Sequence, residues 1–188
     1  GVNTVAREEN GWSLYGSKTA VLNASVANRI LVVATTTSGT GLFLVDAKAS
    51  GLVIEQQKSL DLTRSTSLMT FEGVVATRIG GEYSEALKAL NAYGRIAVSA
   101  ELLGMSEKLM EVSVEYAKTR VQFGKPIGAF QAIKHRCSEM FSHVESMRAA
   151  VETASLVDPA DSVSLHEQSL VVKAYCARFA PWVAEATI

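Results

Sequence analysis

The chain has 188 residues, of which 48% are hydrophobic and 20% charged, with 18 Lys and Arg against 19 Asp and Glu. This composition is typical of a globular protein and excludes a disordered or fibrous chain. A formal net charge of −1 provides no basic field for a phosphate backbone, so we expect no nucleic-acid partner. The longest apolar runs, such as residues 30–34, are far shorter than the roughly 20 residues of a membrane-spanning helix, so no membrane span is expected.

Residues 1–81 have the character of β-structure. They contain nine of the 13 glycines and short alternating runs rich in Thr, Val, Leu and Ser. The alternation predicts strands at 2–6, 12–15, 30–35, 41–45, 52–56 and 67–75. Turn-forming residues separate them at 8–11, 37–40 and 49–51. A strand count near seven predicts a small antiparallel β sandwich or barrel.

From residue 82 onward the pattern changes to that of packed helices. Only four glycines occur there, and apolar residues recur every three or four positions. We expect long helices at 82–118, 130–156 and 161–188. One stripe of the second helix is formed by Phe130, Ile133, Cys137, Met140, Val144, Met147 and Val151. Pro159 ends that helix, and Asp161 or Ser162 is expected to cap the third.

The predicted fold is therefore α+β, with a β domain over 1–81 and an antiparallel helical bundle over 82–188. The chain opens inside a hairpin, and its third helix shows neither a capping glycine nor a polar tail. We therefore expect a sequence that is truncated at both ends. Cys137 and Cys176 lie in apolar-periodic stretches, which favours free, buried thiols and a reducing compartment.

The common local signatures of nucleotide loops, hydrolases and zinc sites do not occur in this sequence. It contains no GxxxxGK[ST], GxGxxG, GxSxG, HExxH or CxxC. His135 and His143 lie two helical turns apart, a spacing compatible with a metal site or an acid–base pair. No third ligand falls in step with them, so we interpret them as ordinary helix histidines and expect no metal.

Residues 116–131 combine a forced turn with functional side chains. Gly124, Pro126 and Gly128 require the chain to turn there, between the first two helices. Two cations, two glutamines and two phenylalanines surround the turn: Arg120, Lys125, Gln122, Gln131, Phe123 and Phe130. Such a set suits an anionic, ring-bearing ligand. On these residues alone we favour the structural alternative, in which a helix-end arginine satisfies carbonyl groups and the phenylalanines close the corner.

This turn closely resembles the signature of acyl-CoA dehydrogenases, in which an aromatic residue precedes Arg-x-x-Phe-Gly-x-x-Ile and a glutamine follows. Stretches at 11–24, 86–104 and 173–186 also resemble that family, in the same order. The resemblance implies most of the family's middle β domain over 1–81 and the first three helices of its C-terminal four-helix bundle over 82–188. It also implies FAD at a subunit interface, an acyl-CoA substrate and a cytoplasmic location.

By the same resemblance, one set of residues would contact the adenosine and pyrophosphate part of an FAD held mainly by a neighbouring subunit. These cofactor-binding residues are Arg120, Gln122, Phe123, Ile127 and Gln131. An arginine suits a phosphate, and a glutamine suits a polar cofactor edge. The resemblance therefore makes the functional interpretation of the turn stronger than the structural one.

The sequence also departs from the family where a subunit contacts its own flavin. Many members have Lys-x-Trp-x-Thr-Asn where this chain has Ala20 and Leu22, which supply neither a ring nor a hydroxyl. Gly94 stands at one family position of the catalytic glutamate, and the other would lie beyond Ile188. We assign no catalytic residue. Arg95 matches the family and is the expected substrate residue, whereas we interpret Glu101 as solvated or at an interface.

These departures lead to three hypotheses. In the first, the chain is the partner subunit, with a degenerate active site, of an α2β2 acyl-CoA dehydrogenase. Such an enzyme would be similar to the heteromeric enzymes of sterol-degrading bacteria, with a steroid side-chain thioester as substrate. The second is an ordinary homotetramer whose catalytic glutamate lies in a missing C-terminal part. The third is a non-enzymatic scaffold, against which the retained Arg120, Phe123 and Gln131 argue. We favour the first.

Overall fold

Six strands precede three long helices in the computed structural model, which describes residues 4–80 and 84–187. The chain divides into two compact units, Gly1–Glu85 and Ala86–Ile188. The first unit is a β-sheet structure and the second is helical, so the predicted α+β class is confirmed. None of the helices in the described residues carries an apolar stretch long enough to cross a bilayer.

The β unit is a small barrel-like sheet. Its strands are β1 (Thr4–Glu8), β2 (Trp12–Leu22), β3 (Arg29–Thr36), β4 (Gly39–Asp46), β5 (Leu52–Gln57) and β6 (Thr66–Arg78). The strand order is β2-β1-β3-β4-β6-β5, and a further pairing of β2 with β6 closes the sheet. The described residues thus hold six strands in this unit where a count near seven was predicted. The pairing of β1 with β3 is parallel rather than antiparallel, whereas the remaining pairs are antiparallel.

Alternating residues of these strands build the barrel core. In β3 every second residue is buried, including Ile30, Val32 and Ala34. Phe43 of β4 is fully buried, and its ring centroid lies 5.2 Å from that of Trp12. Burying each large side chain of this kind contributes about 1.5 to 3 kcal/mol, so the alternation fixes which face of each strand points inward.

The helical unit contains three helices that share one core. They are α1 (Ser84–Thr119), α2 (Gln131–Ser155) and α3 (Ser162–Ala186). The predicted stripe of α2 is confirmed, because Met140, Val144 and Met147 are almost completely buried and pack with residues of α1 and α3. The predicted first helix began at 82, but residues 81–83 lie outside those described, as does 188 at the predicted end of the third.

Contacts between the helices show that α2 is antiparallel to its neighbours. Glu107 near the middle of α1 pairs with Arg148 late in α2, with 2.6 Å between carboxylate and guanidinium. Arg136 early in α2 places its guanidinium 5.3 Å from the ring of Trp182, late in α3. Both cysteines of this unit are free thiols; Cys176 is buried, and burial raises the pKa of its thiol.

Asp161 caps α3, as the sequence predicts. Its carboxylate accepts a hydrogen bond from the Ser164 amide at 3.0 Å, and hydrogen bonds from the Ser164 hydroxyl and amide lower the pKa of Asp161. Because the folded pKa lies below the unfolded one, the cap stabilises the fold above the unfolded pKa and loses this effect as pH falls through the folded pKa.

We expect Asp161→Ala to lower the melting temperature of the protein by a few degrees at neutral pH. The loss should shrink in acid solution, as the pH falls through the folded pKa and the native carboxyl becomes protonated. Thermal unfolding followed by circular dichroism at neutral and at acid pH measures it, with Glu167→Ala on the exposed surface of α3 as the control. An equal loss at the two pH values would show that the carboxylate charge has no part in the cap.

Candidate functional site

The predicted turn between α1 and α2 is a two-residue β-hairpin. Strand β7 (Val121–Gln122) pairs with β8 (Lys125–Pro126), and Phe123 and Gly124 form the tip. Phe123 has φ 53° and Gly124 has φ 76°. Positive φ at both tip residues is the backbone of a type I′ turn, whose twist matches that of the paired strands.

Backbone contacts fix this hairpin to the end of α1. The Arg120 amide donates to the Tyr116 carbonyl at 2.8 Å, which continues the helical pattern by one residue. The Ile127 amide donates to the Arg120 carbonyl, also at 2.8 Å. Gly128 lies so close that an added Cβ would be 3.0 Å from the Ala117 carbonyl oxygen. The hairpin therefore has a defined position on the helical unit.

Three of the predicted cofactor residues lie next to one another in the backbone of the hairpin. Gln122 belongs to β7, and Arg120 lies between the end of α1 and that strand. The Ile127 amide bonds to the Arg120 carbonyl, and the half-buried Ile127 side chain lines a pocket together with Ile133. Arg120 and Gln122 are exposed, and no carboxylate in the described parts of the chain pairs with Arg120. Gln131, the fourth predicted cofactor residue, is the first residue of α2 and is exposed.

Phe123, the fifth candidate, is strained and exposed. Its side chain is 91% exposed, and its φ of 53° lies in the left-handed region. A residue other than glycine pays roughly 1 to 2 kcal/mol for that conformation. The ring makes an edge contact with Phe130, with 6.1 Å between centroids. A purely structural corner would favour glycine or asparagine here, so the retained aromatic favours a ligand-binding role.

The hairpin face is chemically suited to the adenosine and diphosphate part of FAD. A guanidinium can bind a phosphate through two parallel hydrogen bonds. The two glutamine amides can donate and accept along a ribose or purine edge, and an exposed ring can contact a purine. All these groups are exposed, so a ligand from outside this unit can reach them.

Positions 20 and 22 of the β unit carry side chains that can neither stack on an isoalloxazine ring nor form a hydrogen bond with it. Ala20 sits in a bulge of β2, with φ 55° and a register shift against β6 between Lys18 and Val21. The Gln57 side-chain oxygen accepts a hydrogen bond from the Ala20 amide at 2.9 Å and holds the bulge. Leu22 is 53% exposed. The side chains at 20 and 22 thus offer no ring and no hydroxyl, and this segment does not fit flavin stacking.

The bulge brings Lys18 and Val21 to one small cavity. A regular strand would point residues three apart to opposite faces, but both line a cavity of about 220 Å³ together with Met69. Burial there lowers the pKa of Lys18.

Arg95, the predicted substrate residue, contacts α3 within the helical unit. It is half-buried, and its Nη1 donates to the Ser169 hydroxyl at 3.4 Å. The neighbouring Gly94 is exposed, and a Cβ there would meet nothing within 4 Å. Glu101 is exposed on α1. Position 94, next to Arg95 in the chain, therefore supplies no carboxylate.

The two histidines considered for a metal site are in different surroundings. His143 stacks on Phe179, with ring centroids 4.2 Å apart, and meets Trp182 edge-on at 4.8 Å. His135 is exposed. Within residues 4–80 and 84–187, no group of three His, Cys, Asp or Glu side chains could hold a metal ion.

Comparisons with known proteins identify the family of a chain that combines a small barrel-like sheet, a helical bundle and this hairpin. Residues 84–188 match the family model described as acyl-CoA dehydrogenase, C-terminal domain. The acyl-CoA dehydrogenase FadE27 of Mycobacterium tuberculosis is 31% identical over 180 residues, which cover 94% of this chain and 48% of that protein. The chain belongs to the acyl-CoA dehydrogenase family, whose members are FAD enzymes.

Two of the similar solved structures are each named by two components. The steroid acyl-CoA dehydrogenase Tcur3481–Tcur3483, as a G363A variant, is 31% identical with a TM-score of 0.87, and the match covers 98% of this chain and 50% of that one. The ChsE4–ChsE5 complex of Mycobacterium tuberculosis is 28% identical with a TM-score of 0.74, covering 97% and 52%. The chain thus spans about half the length of the relatives it matches.

Proposed function

We propose that this chain is a subunit of an FAD-dependent dehydrogenase that introduces an α,β double bond into an acyl-CoA thioester. It is the partner subunit with a degenerate active site in an α2β2 heterotetramer, and it completes the FAD site of a neighbour. In this proposal residues 1–81 are an incomplete middle β domain, and residues 82–188 are the first three helices of the C-terminal bundle. The observation that carries it is an asymmetry between two sets of residues.

The first set, which would serve a neighbour's cofactor, is complete. Arg120 and Gln122 are exposed, and the Ile127 amide bonds to the Arg120 carbonyl. A strained and almost fully exposed Phe123 stands at the tip. This arrangement supports binding of a diphosphate and a purine that another subunit presents.

The second set, which would serve the chain's own flavin and substrate, is altered. Ala20 and Leu22 supply neither stacking surface nor hydroxyl, and Gly94 supplies no base. When bound, FAD accepts a hydride from the β-carbon of the acyl group, but abstraction of the α-proton needs a carboxylate in a site without water. A chain that lacks both the flavin contacts and the base at position 94 would depend on a sister chain for this chemistry.

A steroid side-chain thioester is the substrate we propose. The support is the likeness to a solved steroid acyl-CoA dehydrogenase formed by two named polypeptides, at 31% identity. The second complex, ChsE4–ChsE5, is again named as two components. Likeness of fold does not carry a substrate by itself, so this part rests on analogy.

A homotetramer with its catalytic glutamate elsewhere in a longer protein is the second candidate, and Arg95 favours it. The half-buried guanidinium beside Gly94 is retained although the carboxylate is not. In a homotetramer Arg95 would orient the thioester or the base. A glutamate at the second family position, beyond Ile188 in a longer sequence, favours this candidate, whereas a neighbouring gene for a second, intact dehydrogenase favours the heterotetramer.

Flavin content decides between these proposals. The full-length protein is purified alone and together with a candidate sister dehydrogenase, and bound FAD and dehydrogenation are measured for both samples. We expect little flavin and no activity alone, and fewer FAD molecules than subunits in the active complex. One FAD per protomer with activity in the absence of any partner would overturn the partner-subunit proposal.

A further inference from the structure

We infer that Lys125 is a further cofactor contact, which binds the same diphosphate as Arg120 from the opposite strand of the hairpin. This inference rests on the proposed function of the hairpin as a dinucleotide site. The family resemblance assigns no role to Lys125.

The strand register places Lys125 on the cofactor face. Gln122 and Lys125 are paired directly across β7 and β8. Directly opposed residues of an antiparallel pair point to the same side, with Cβ atoms about 5 Å apart. A ligand that lies on Gln122 is therefore within reach of the Lys125 side chain, whereas Val121 and Pro126 lie on the other face.

Phe130 holds Lys125 in place. The ammonium nitrogen lies 4.4 Å from the centroid of the Phe130 ring, as in a cation–π contact. The same ring meets the edge of Phe123. One half-buried aromatic thus fixes both the exposed ring at the tip and the cation on the strand. A phenylalanine ring has no oxygen to accept a hydrogen bond. The N–H donors of the Lys125 ammonium therefore stay available for a ligand.

The charge around the hairpin favours an anion at this face. No Asp or Glu occurs between Glu115 and Glu139, whereas five cations do: Lys118, Arg120, Lys125, Lys134 and Arg136. Lys118 is paired with Glu115 at 2.6 Å. Lys125 pairs with no carboxylate among the described residues. Arg120 provides a planar fork and Lys125 a point charge, which together match a diphosphate of two negative charges.

The test uses the assembled complex of full-length subunits, depleted of flavin and titrated with FAD. Lys125→Met keeps an apolar stem on Phe130 and removes the charge, and Lys125→Arg keeps the charge. Lys108→Met removes an exposed lysine of α1 that is outside the cations around the hairpin. We expect Lys125→Met to weaken FAD binding about tenfold, with Lys125→Arg close to the parent and Lys108→Met unchanged.

Competition with ADP and with adenosine separates a phosphate contact from a structural one. We expect Lys125→Met to weaken competition by ADP by the same factor and to leave adenosine unaffected. Unchanged FAD binding, or an equal loss for ADP and adenosine, would overturn the inference. If Arg120→Ala weakens FAD binding while Lys125→Met does not, only this inference fails; if neither variant has an effect, the proposed dinucleotide site itself fails.

Discussion

Replacing Arg120 by alanine is expected to weaken FAD binding in the assembled complex about 100-fold. A hydrogen bond to a charged group contributes about 1.5 to 3 kcal/mol, and a bidentate arginine makes two to a phosphate. About 2.7 kcal/mol corresponds to a factor of 100 in the dissociation constant. Arg120→Lys keeps the charge but not the planar guanidinium, so its affinity for FAD should fall about tenfold. Titration of the flavin-depleted complex, followed by FAD fluorescence, measures both variants.

The same substitution should leave the stability of the chain unchanged. The Arg120 side chain is exposed and pairs with no carboxylate in the part of the chain that the structure describes. Arg178→Ala is a matched control, because Arg178 is an exposed arginine of α3 that stacks on Phe179, away from the hairpin. Normal flavin content in Arg120→Ala would favour the scaffold hypothesis. A large fall in melting temperature would instead favour the structural interpretation of a helix-end arginine.

Replacing Gly51 by alanine is expected to destabilise the β unit by roughly 4 kcal/mol. Gly51 has φ 82°, and its carbonyl accepts a hydrogen bond from the Glu72 amide at 3.0 Å. An added Cβ would stand 2.3 Å from the Glu72 carbonyl oxygen, which belongs to the backbone of β6. The substitution therefore combines left-handed strain with a contact that the sheet must open to relieve.

Gly11→Ala provides the matched control for Gly51→Ala. Gly11 also has a positive φ, of 122°, but a Cβ there would meet nothing within 4 Å. We expect Gly11→Ala to lower the free energy of unfolding by only about 2 kcal/mol, from backbone strain alone. Urea unfolding reports both losses through the fluorescence of Trp12, in a Trp182→Phe background. Equal losses for the two variants would mean that the backbone of β6 moves aside at no cost.

The periodicity of the sequence predicts the strands and helices well, because burial selects one face of each. Their ends are less well predicted, because partners set them. Strand β2 continues to Leu22 rather than to 15, since the long β6 pairs with it down to Leu22. The predicted turn at 37–40 is shorter, since Gly39 and Thr40 already pair with β3.

Two features of the candidate sites could not be predicted from composition or spacing. A two-residue turn of this type usually has the sequence Asn-Gly or Asp-Gly, but this hairpin has Phe123 before Gly124. The sequence therefore does not indicate a hairpin here. The bulge at Ala20 involves neither glycine nor proline, and it depends on Gln57, which is 37 residues away in the chain. Both place non-glycine residues at positive φ.

An experimental structure of the assembled complex with FAD bound tests the central claim most directly. We predict that the hairpin of this chain, from Arg120 to Ile127, lies at a subunit boundary with its exposed face against the diphosphate and adenosine of a cofactor held by the adjoining subunit. A hairpin that faces bulk solvent, remote from any flavin, would contradict the account.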